Sequence, residues 1–331
     1  MMERPANTGS RRGRDLTARV LLTPEVGVLI PILVLCMITV SIKPSFLTWK
    51  YFSSILRGAI FIGAAALGQA FACLAGEIDL SVGYSGCLSG IMVGVACQYW
   101  GLGLVPCLLI GMATGALVGL INGLATMKLG LSSWITTLAT QFICQGLAVT
   151  ISQGVPISIK ELGTSDFTRA RPLSLNWLFF IFIAMLLISD VVIRRTRFGY
   201  QLRACGGNPN AALMAGINVQ RVKIIAMVLA GLFAAFGGIF DVLSAATAKA
   251  EFGAGREFRT IICVNIGGIA AGSGSMFGVG LGVLLFHVLW DALRILNVDT
   301  NLQLVLIGAI LLIAVLLDIL RKKYEARRIA R

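Results

Sequence analysis

Arg194-Arg195-Thr196-Arg197-Phe198-Gly199-Tyr200-Gln201-Leu202-Arg203-Ala204-Cys205-Gly206-Gly207-Asn208-Pro209-Asn210-Ala211-Ala212-Leu213-Met214-Ala215-Gly216-Ile217-Asn218-Val219 lies between two apolar stretches of membrane-spanning length. Continued to Lys223, the run carries six basic residues and no acid, so it belongs on the cytoplasmic side. Inside it sits a short helix with its own punctuation. Asn208 suits the N-cap, Pro209 the first helical position, and Gly216 the left-handed stop. A two-turn helix on a long cytoplasmic loop is best explained as a docking element for a cytoplasmic partner. Ala211, Ala212 and Ala215 are small enough for it to sit deep in a partner's groove.

The 331 residues are 57% hydrophobic and 13% charged, with a mean hydropathy of +0.88. That is more apolar surface than a soluble domain needs, so the chain reads as an all-α, polytopic membrane protein. The 38 glycines agree, because small residues let membrane helices approach closely. The net charge of +13 is confined to residues 1–25 (+2), 194–223 (+6) and 321–331 (+5), while the other basic and acidic residues cancel. Charge in two tails and one loop is a topology signal. No soluble basic face is left for nucleic acid.

Apolar spans fall at 26–42, 53–75, 84–100, 103–127, 133–152, 176–193, 222–248, 259–271, 277–296 and 301–320. About ten spans put both basic tails inside, and the 194–223 loop also falls inside after six of them. The chain divides into a cytoplasmic tail (1–25), a permease body (26–320) and a second cytoplasmic tail (321–331). The first apolar stretch runs past Pro31 to Ile42, too long for a signal segment, so it counts as the first span. The longest outer connection is 153–175.

Two spans are irregular. Gly76-Glu77-Ile78-Asp79-Leu80-Ser81-Val82-Gly83-Tyr84 breaks an apolar region with two carboxylates, and 259–271 is too short to cross about 30 Å. The second half offers a counterpart break in Phe252-Gly253-Ala254-Gly255-Arg256-Glu257-Phe258-Arg259. Spans two to five and seven to ten therefore read as an inverted repeat around a central pathway.

Asp79, with Glu77 and Ser81, is the foremost in-membrane candidate, since an ionisable group there is costly. It either caps a broken helix or contacts solute, and capping is the simpler reading. Gln69, Asn122, Trp134, Gln141, Gln145 and Asn265 are candidate path residues, each equally suited to an interhelical hydrogen bond. His287, Asp291 and Arg294 share a face of the ninth span, where an ion pair near the outer end is a simpler reading than a proton relay. His287 is the only histidine, so histidine-metal and Ser-His-Asp sites lack material. Seven of the eight cysteines lie in apolar spans without C-x-x-C spacing and read as packing residues. No phosphate-loop pattern occurs, so ATP hydrolysis would need another chain, and no cofactor is expected.

These residues resemble the transmembrane permease subunits of bacterial ABC importers of the ribose/xylose/galactose type, from about residue 45 to 320. The resemblance rests on Gly76 through Gly83, Asn122-Gly123, Thr136-Thr137-Leu138 with Gln145-Gly146-Leu147, the Gly199–Val219 loop, and Gly267-Gly268 through Gly278. Glu77 stands where the family usually has glycine, Trp134 where it often has phenylalanine, and Arg259 where an acid is usual. The resemblance implies a multi-pass subunit of the bacterial inner membrane that moves a small neutral solute, a monosaccharide above all, by alternating access. It further implies three partners: a periplasmic sugar-binding protein, a second permease subunit (the same chain or a close paralogue), and a cytoplasmic ABC ATPase. That ATPase would dock around Gly199, Arg203, Asn208, Pro209, Ala211, Ala212 and Gly216. Autoinducer-2-like sugars, nucleosides and branched-chain amino acids stay open as solutes. An ion-coupled secondary transporter, drawing on Asp79 and Asp241, is the remaining alternative class.

Overall fold

The computed structural model describes residues 24–159, 175, 177–299 and, beyond them, 301–303, 305, 306, 308, 309 and 312. Its helices are α1 (Pro24–Ile42), α2 (Trp49–Leu74), α3 (Val82–Gln98), α4 (Leu104–Lys128), α5 (Ser133–Ser152), α6 (Trp177–Arg195), α7 (Arg197–Gly207), α8 (Pro209–Met214), α9 (Val219–Ala245), α10 (Arg256–Ile266) and α11 (Met276–Ile295). Six of these are long and apolar enough to cross a membrane: α2, α4, α5, α6, α9 and α11. The expected boundaries agree with the helices to within a few residues, with one correction. Residues 259–271 are not one helix. The helix ends at Ile266, and Gly267–Gly274 form a tight turn bridged between Ala270 and Ser273. Gly268, Gly272 and Gly274 take positive φ there, which a helix cannot use. At 11 residues α10 rises only about 16 Å. Most of the expected tenth span, both tails and most of 153–175 lie outside the described residues, so the structure does not fix a count of ten.

A similar pattern of packing occurs in the two halves. α9 packs against α2, α3 and α4, and α2 packs against α9, α10 and α11. Exchanging α2 with α9, α3 with α10 and α4 with α11 maps one set of neighbours onto the other. α2 is the centre, with 78% of its apolar window buried, against 28% for α4 and 33% for α5. Those two helices turn Leu109, Leu117, Ile121, Ile135, Phe142 and Ile143 outward, as helices facing lipid or another subunit do.

Helix crossings are made close by missing side chains. A Cβ on Gly86 of α3 would sit 2.5 Å from the Ala234 carbonyl oxygen of α9, and Gly238 meets the Gly86 backbone in turn. With no hydrophobic drive between helices inside lipid, such van der Waals contact is what holds them.

The elements sort to two ends. At one end, the Gly272 N–H donates to the Leu74 carbonyl (3.0 Å), and Arg203 Nη2 of α7 donates to the Gly274 carbonyl (3.1 Å). At the other, β1 (Ile157–Ser158) pairs antiparallel with β2 (Thr247–Ala248), tying the chain beyond α5 to the end of α9. The second break does not stay at that far end: the Gly253 carbonyl and the Glu257 carboxylate lie against Gly83, where α3 leaves the first break.

Candidate translocation and docking site

α2 stops because Gly76 takes φ +80°, and the chain crosses Glu77–Ser81 before α3 begins. Asp79 Oδ1 accepts from the Ser81 N–H (2.8 Å) and from Ser81 Oγ (2.6 Å). Asn122 Nδ2 of α4 donates to the same Ser81 Oγ (2.9 Å). The Leu80 N–H donates to Thr137 Oγ1 of α5 (2.9 Å). Asp79, Ser81, Asn122 and Thr137 are all fully buried. Asp79 thus holds the N–H of Ser81, the N-cap residue of α3, and no N–H of that helix's first turn, and the network joins three helices. Asp79 Oδ2 and Asn122 Oδ1 have no protein hydrogen-bond partner among the described residues.

Glu77, the residue that departs from the resembled pattern, pairs with Lys223 Nζ of α9 at 2.6 Å, and both side chains are nearly buried. Lys223 counts in the sequence only as topology charge; nothing there announces its partner.

The remaining path candidates disperse. Gln141 on α5 lies beside the Glu257 carboxylate at the start of α10, bringing the face of the first half to the second break. Arg256 pairs with Asp241 of α9 beside it. Gln69 is fully buried on α2, and its amide approaches only Cys73 Sγ (3.7 Å). Trp134 is 52% exposed on the first turn of α5, Gln145 is half-buried further along it, and Asn265 is half-buried near the end of α10. The structure brings Asp79, Ser81 and Asn122 together and leaves Gln69, Trp134 and Asn265 apart. Thr137 and Glu257 are the members that sequence reasoning passed over, although both lie in stretches it singled out. Asp291 and Arg294, read as an outer ion pair, instead both line a groove between α2 and α11. The ion pairs among the described residues are Arg194–Asp190, Lys223–Glu77 and Arg256–Asp241.

At the end carrying the first break, the basic loop folds as α7 and α8. Thr196 Oγ1 caps α7 by accepting from the Gly199 N–H (3.2 Å). Asn208 Oδ1 caps α8 by accepting from the Ala211 N–H (3.0 Å), and Pro209 takes its first position. Gly216 closes it at φ +80°, with Gly216 N–H to the Leu213 carbonyl (2.9 Å) and Ile217 N–H to the Ala212 carbonyl (3.0 Å). That pair of bonds is the Schellman arrangement. One expectation needs correction: Ala212 is 3% exposed and faces its own chain, so no partner can reach it. Its smallness serves packing against the bundle. Gly199 is also interior, packed on the end of α6, and Arg203 is anchored to Gly274. Asn208, Pro209, Ala211 and Gly216 are exposed, and the projecting surface is Leu213 (63%) and Met214 (90%). Burial pushes the Cys205 thiol above its ordinary value, with Lys223 pulling the other way, which suits a packing cysteine.

Residues 51–315 match the family model for the permease component of the branched-chain amino acid transport system. The ribose import permease protein RbsC of Bacillus subtilis is 35% identical over 306 residues, covering 90% of this chain and 93% of that protein. The L-arabinose ABC transporter permease protein AraH of Azospirillum brasilense is 32% identical over 284 residues, covering 84% of this chain and 83% of that one. RbsC of Escherichia coli K12 is 29% identical over 300 residues, covering 88% and 92%. The chain belongs to this permease family, and it is a multi-pass helical membrane protein.

Proposed function

We propose that the chain carries a monosaccharide inward across the bacterial inner membrane as the permease subunit of an ABC importer. A periplasmic sugar-binding protein delivers the solute, a second permease subunit completes the pathway, and a cytoplasmic ATPase seats on α8. The observation that carries this reading is α8 itself: six residues, capped at both ends and presenting Leu213 and Met214. Burying Ala212 fixes the helix on the bundle while its apolar tip stays outward, which is the form of a lever to be held by another protein. The 194–223 loop is then the coupling segment, and the tails 1–25 and 321–331 share its side.

The monosaccharide assignment draws on the relatives, which are named for ribose and arabinose. It also draws on Asn122 and Gln141, whose amide carbonyl oxygens have no hydrogen-bond partner among the described residues and suit hydroxyl donors. The family's description favours branched-chain amino acids as the second reading.

Proteoliposomes containing the chain, its ATPase and its binding protein should take up labelled pentose only with ATP, and excess leucine should not compete. Leucine uptake in place of pentose selects the second reading. Uptake by the chain alone, driven by a Na⁺ or proton gradient, would overturn the importer reading.

A further inference from the structure

α3 and α4 form an antiparallel hairpin whose facing residues keep a regular register. A Cβ on Gly115 would sit 3.1 Å from Ser89 Oγ, and one on Gly111 would sit 2.6 Å from Val93 Cγ2. Each turn along α3 toward the connecting loop therefore meets one turn back along α4, because residues four apart share a helix face. The next pair in this series is Cys97 and Cys107. Two further observations bring their sulfurs together. The Leu102 N–H donates to the Ala96 carbonyl (3.1 Å), and Cys107 Sγ donates to the Leu102 carbonyl (3.3 Å), so one loop residue spans from the neighbour of Cys97 to Cys107 itself. The two thiols also lie close enough for the charge of one to act on the other. Glycine at 111 and 115 lets the backbones approach, as the Cα separation of about 4.4–6.8 Å in a disulfide demands.

The end of the bundle at which they meet matters as much. Gly94, beside Cys97 on α3, packs on Ile157 of β1 and Ala248 of β2. This is the end opposite the basic loop, and on the topology proposed above it faces the outer compartment. Thiols stay reduced inside a bacterium and are oxidised outside it. On sequence grounds both cysteines read as packing residues, and only the helix register singles out the pair.

We propose that Cys97 and Cys107 are joined by a disulfide as the hairpin reaches the outer compartment, stapling α3 to α4 at that end. Both are in the thiol form here, and the oxidant is the disulfide of a thiol oxidase. One cysteine thiolate attacks a sulfur of that disulfide and expels the oxidase's other sulfur as a thiolate. The second cysteine thiolate then attacks the mixed disulfide at its cysteine sulfur, closing the Cys97–Cys107 bond and releasing the oxidase as a dithiol. Two electrons and two protons pass from the chain to the oxidase. Because the two side chains are only 2% and 0% exposed once packed, this exchange belongs to folding, before α4 closes on α3.

The test uses the full-length chain expressed in a bacterial host with an oxidising periplasm. After acid quenching, thiols are blocked in denaturant with N-ethylmaleimide. The protein is then reduced, and the thiols released take an isotopically heavy maleimide before peptide mass spectrometry. Cys97 and Cys107 should carry the heavy label in equal amounts, and the other six cysteines the light one. Cys97→Ser should return Cys107 to the light label, and Cys107→Ser should do the same for Cys97. Because labelling is done in denaturant, a variant that folds poorly still gives a reading. Light label at both positions of the unaltered chain overturns the proposal, as does heavy label that stays on Cys107 in the Cys97→Ser variant. Oxidised glutathione added to the purified chain then locates the fault. A bond that forms only at this stage places this end on the reducing side, against the topology; no bond shows that the two thiols do not meet.

Discussion

Removing both members of the Glu77–Lys223 pair should destabilise the chain by less than the sum of removing each alone. The two atoms stand 2.6 Å apart, with side chains only 11% and 12% exposed. At an effective dielectric near 20 their attraction is about 6 kcal/mol. Desolvation of two charges cancels most of that, yet the balance fails if one is left alone. Glu77→Gln and Lys223→Met should therefore each cost about 2–4 kcal/mol. The double variant should cost less than their sum, with a coupling of about 2 kcal/mol. Equilibrium unfolding of the four proteins in mixed micelles measures this cycle. Because the pair is nearly dry, the coupling should persist at 1 M salt, where an exposed pair would be screened. A coupling under about 0.5 kcal/mol, the limit of ordinary additivity, would refute the claim that this pair ties the break to α9.

Asp79→Asn should keep an acceptor for the Ser81 N–H and retain folding and uptake, whereas Asp79→Leu strands two buried donors at about 1–3 kcal/mol each and should lower the folded yield on size-exclusion chromatography. Met214→Glu should leave the permease folded but release the ATPase in a pull-down, while Ala212→Trp should damage the permease itself, because its Cβ points inward. A Gly86→Val substitution should force α3 from α9 and cost roughly 1–3 kcal/mol or more in the same micelle titration, and wild-type stability would mean the crossing relaxes freely. With the parent chain labelled in parallel, cysteine at position 208 should react with an impermeant maleimide only from the inside, and cysteine at 98 only from outside; labelling of both from one face breaks the topology.

The class of fold was legible because hydropathy and charge placement act over whole segments. The span boundaries followed from the same averaging, and the α8 caps from chemistry local to four or five residues. What stayed hidden depends on contacts distant in sequence. Lys223 lies 146 positions from Glu77, and Gln141 is far from Glu257. A small residue such as Ala212 fits a partner's groove or the chain's own bundle equally well on sequence grounds, and only the placement of α8 decided between them. Residues 259–271 misled because their apolar average hid Gly267 and Gly268, and Gly268 with Gly272 and Gly274 just beyond takes the positive φ of a turn.

The ion pairs give α9 a particular mechanical position. Lys223 binds it to the first break and Asp241 to the second, 18 residues or about 27 Å apart. Between them Gly231 and Gly238 press its backbone on α4 and α3. α8 precedes α9 by only four residues, and Asn218 Oδ1 caps that junction by accepting from the Arg221 N–H (3.0 Å). A force on Leu213 and Met214 therefore reaches α9 through a short, hydrogen-bonded link, with no slack loop between. From α9 it passes to Glu77, two residues from the Asp79 network, and along the helix to Arg256, next to the Gln141–Glu257 contact. On the proposed reading, an ATPase holding α8 acts on both breaks through one helix. This makes the Glu77–Lys223 cycle informative twice over. A double variant that recovers the coupling of about 2 kcal/mol but not the link should still fold and yet transport poorly, separating the pair's role in coupling from its role in folding.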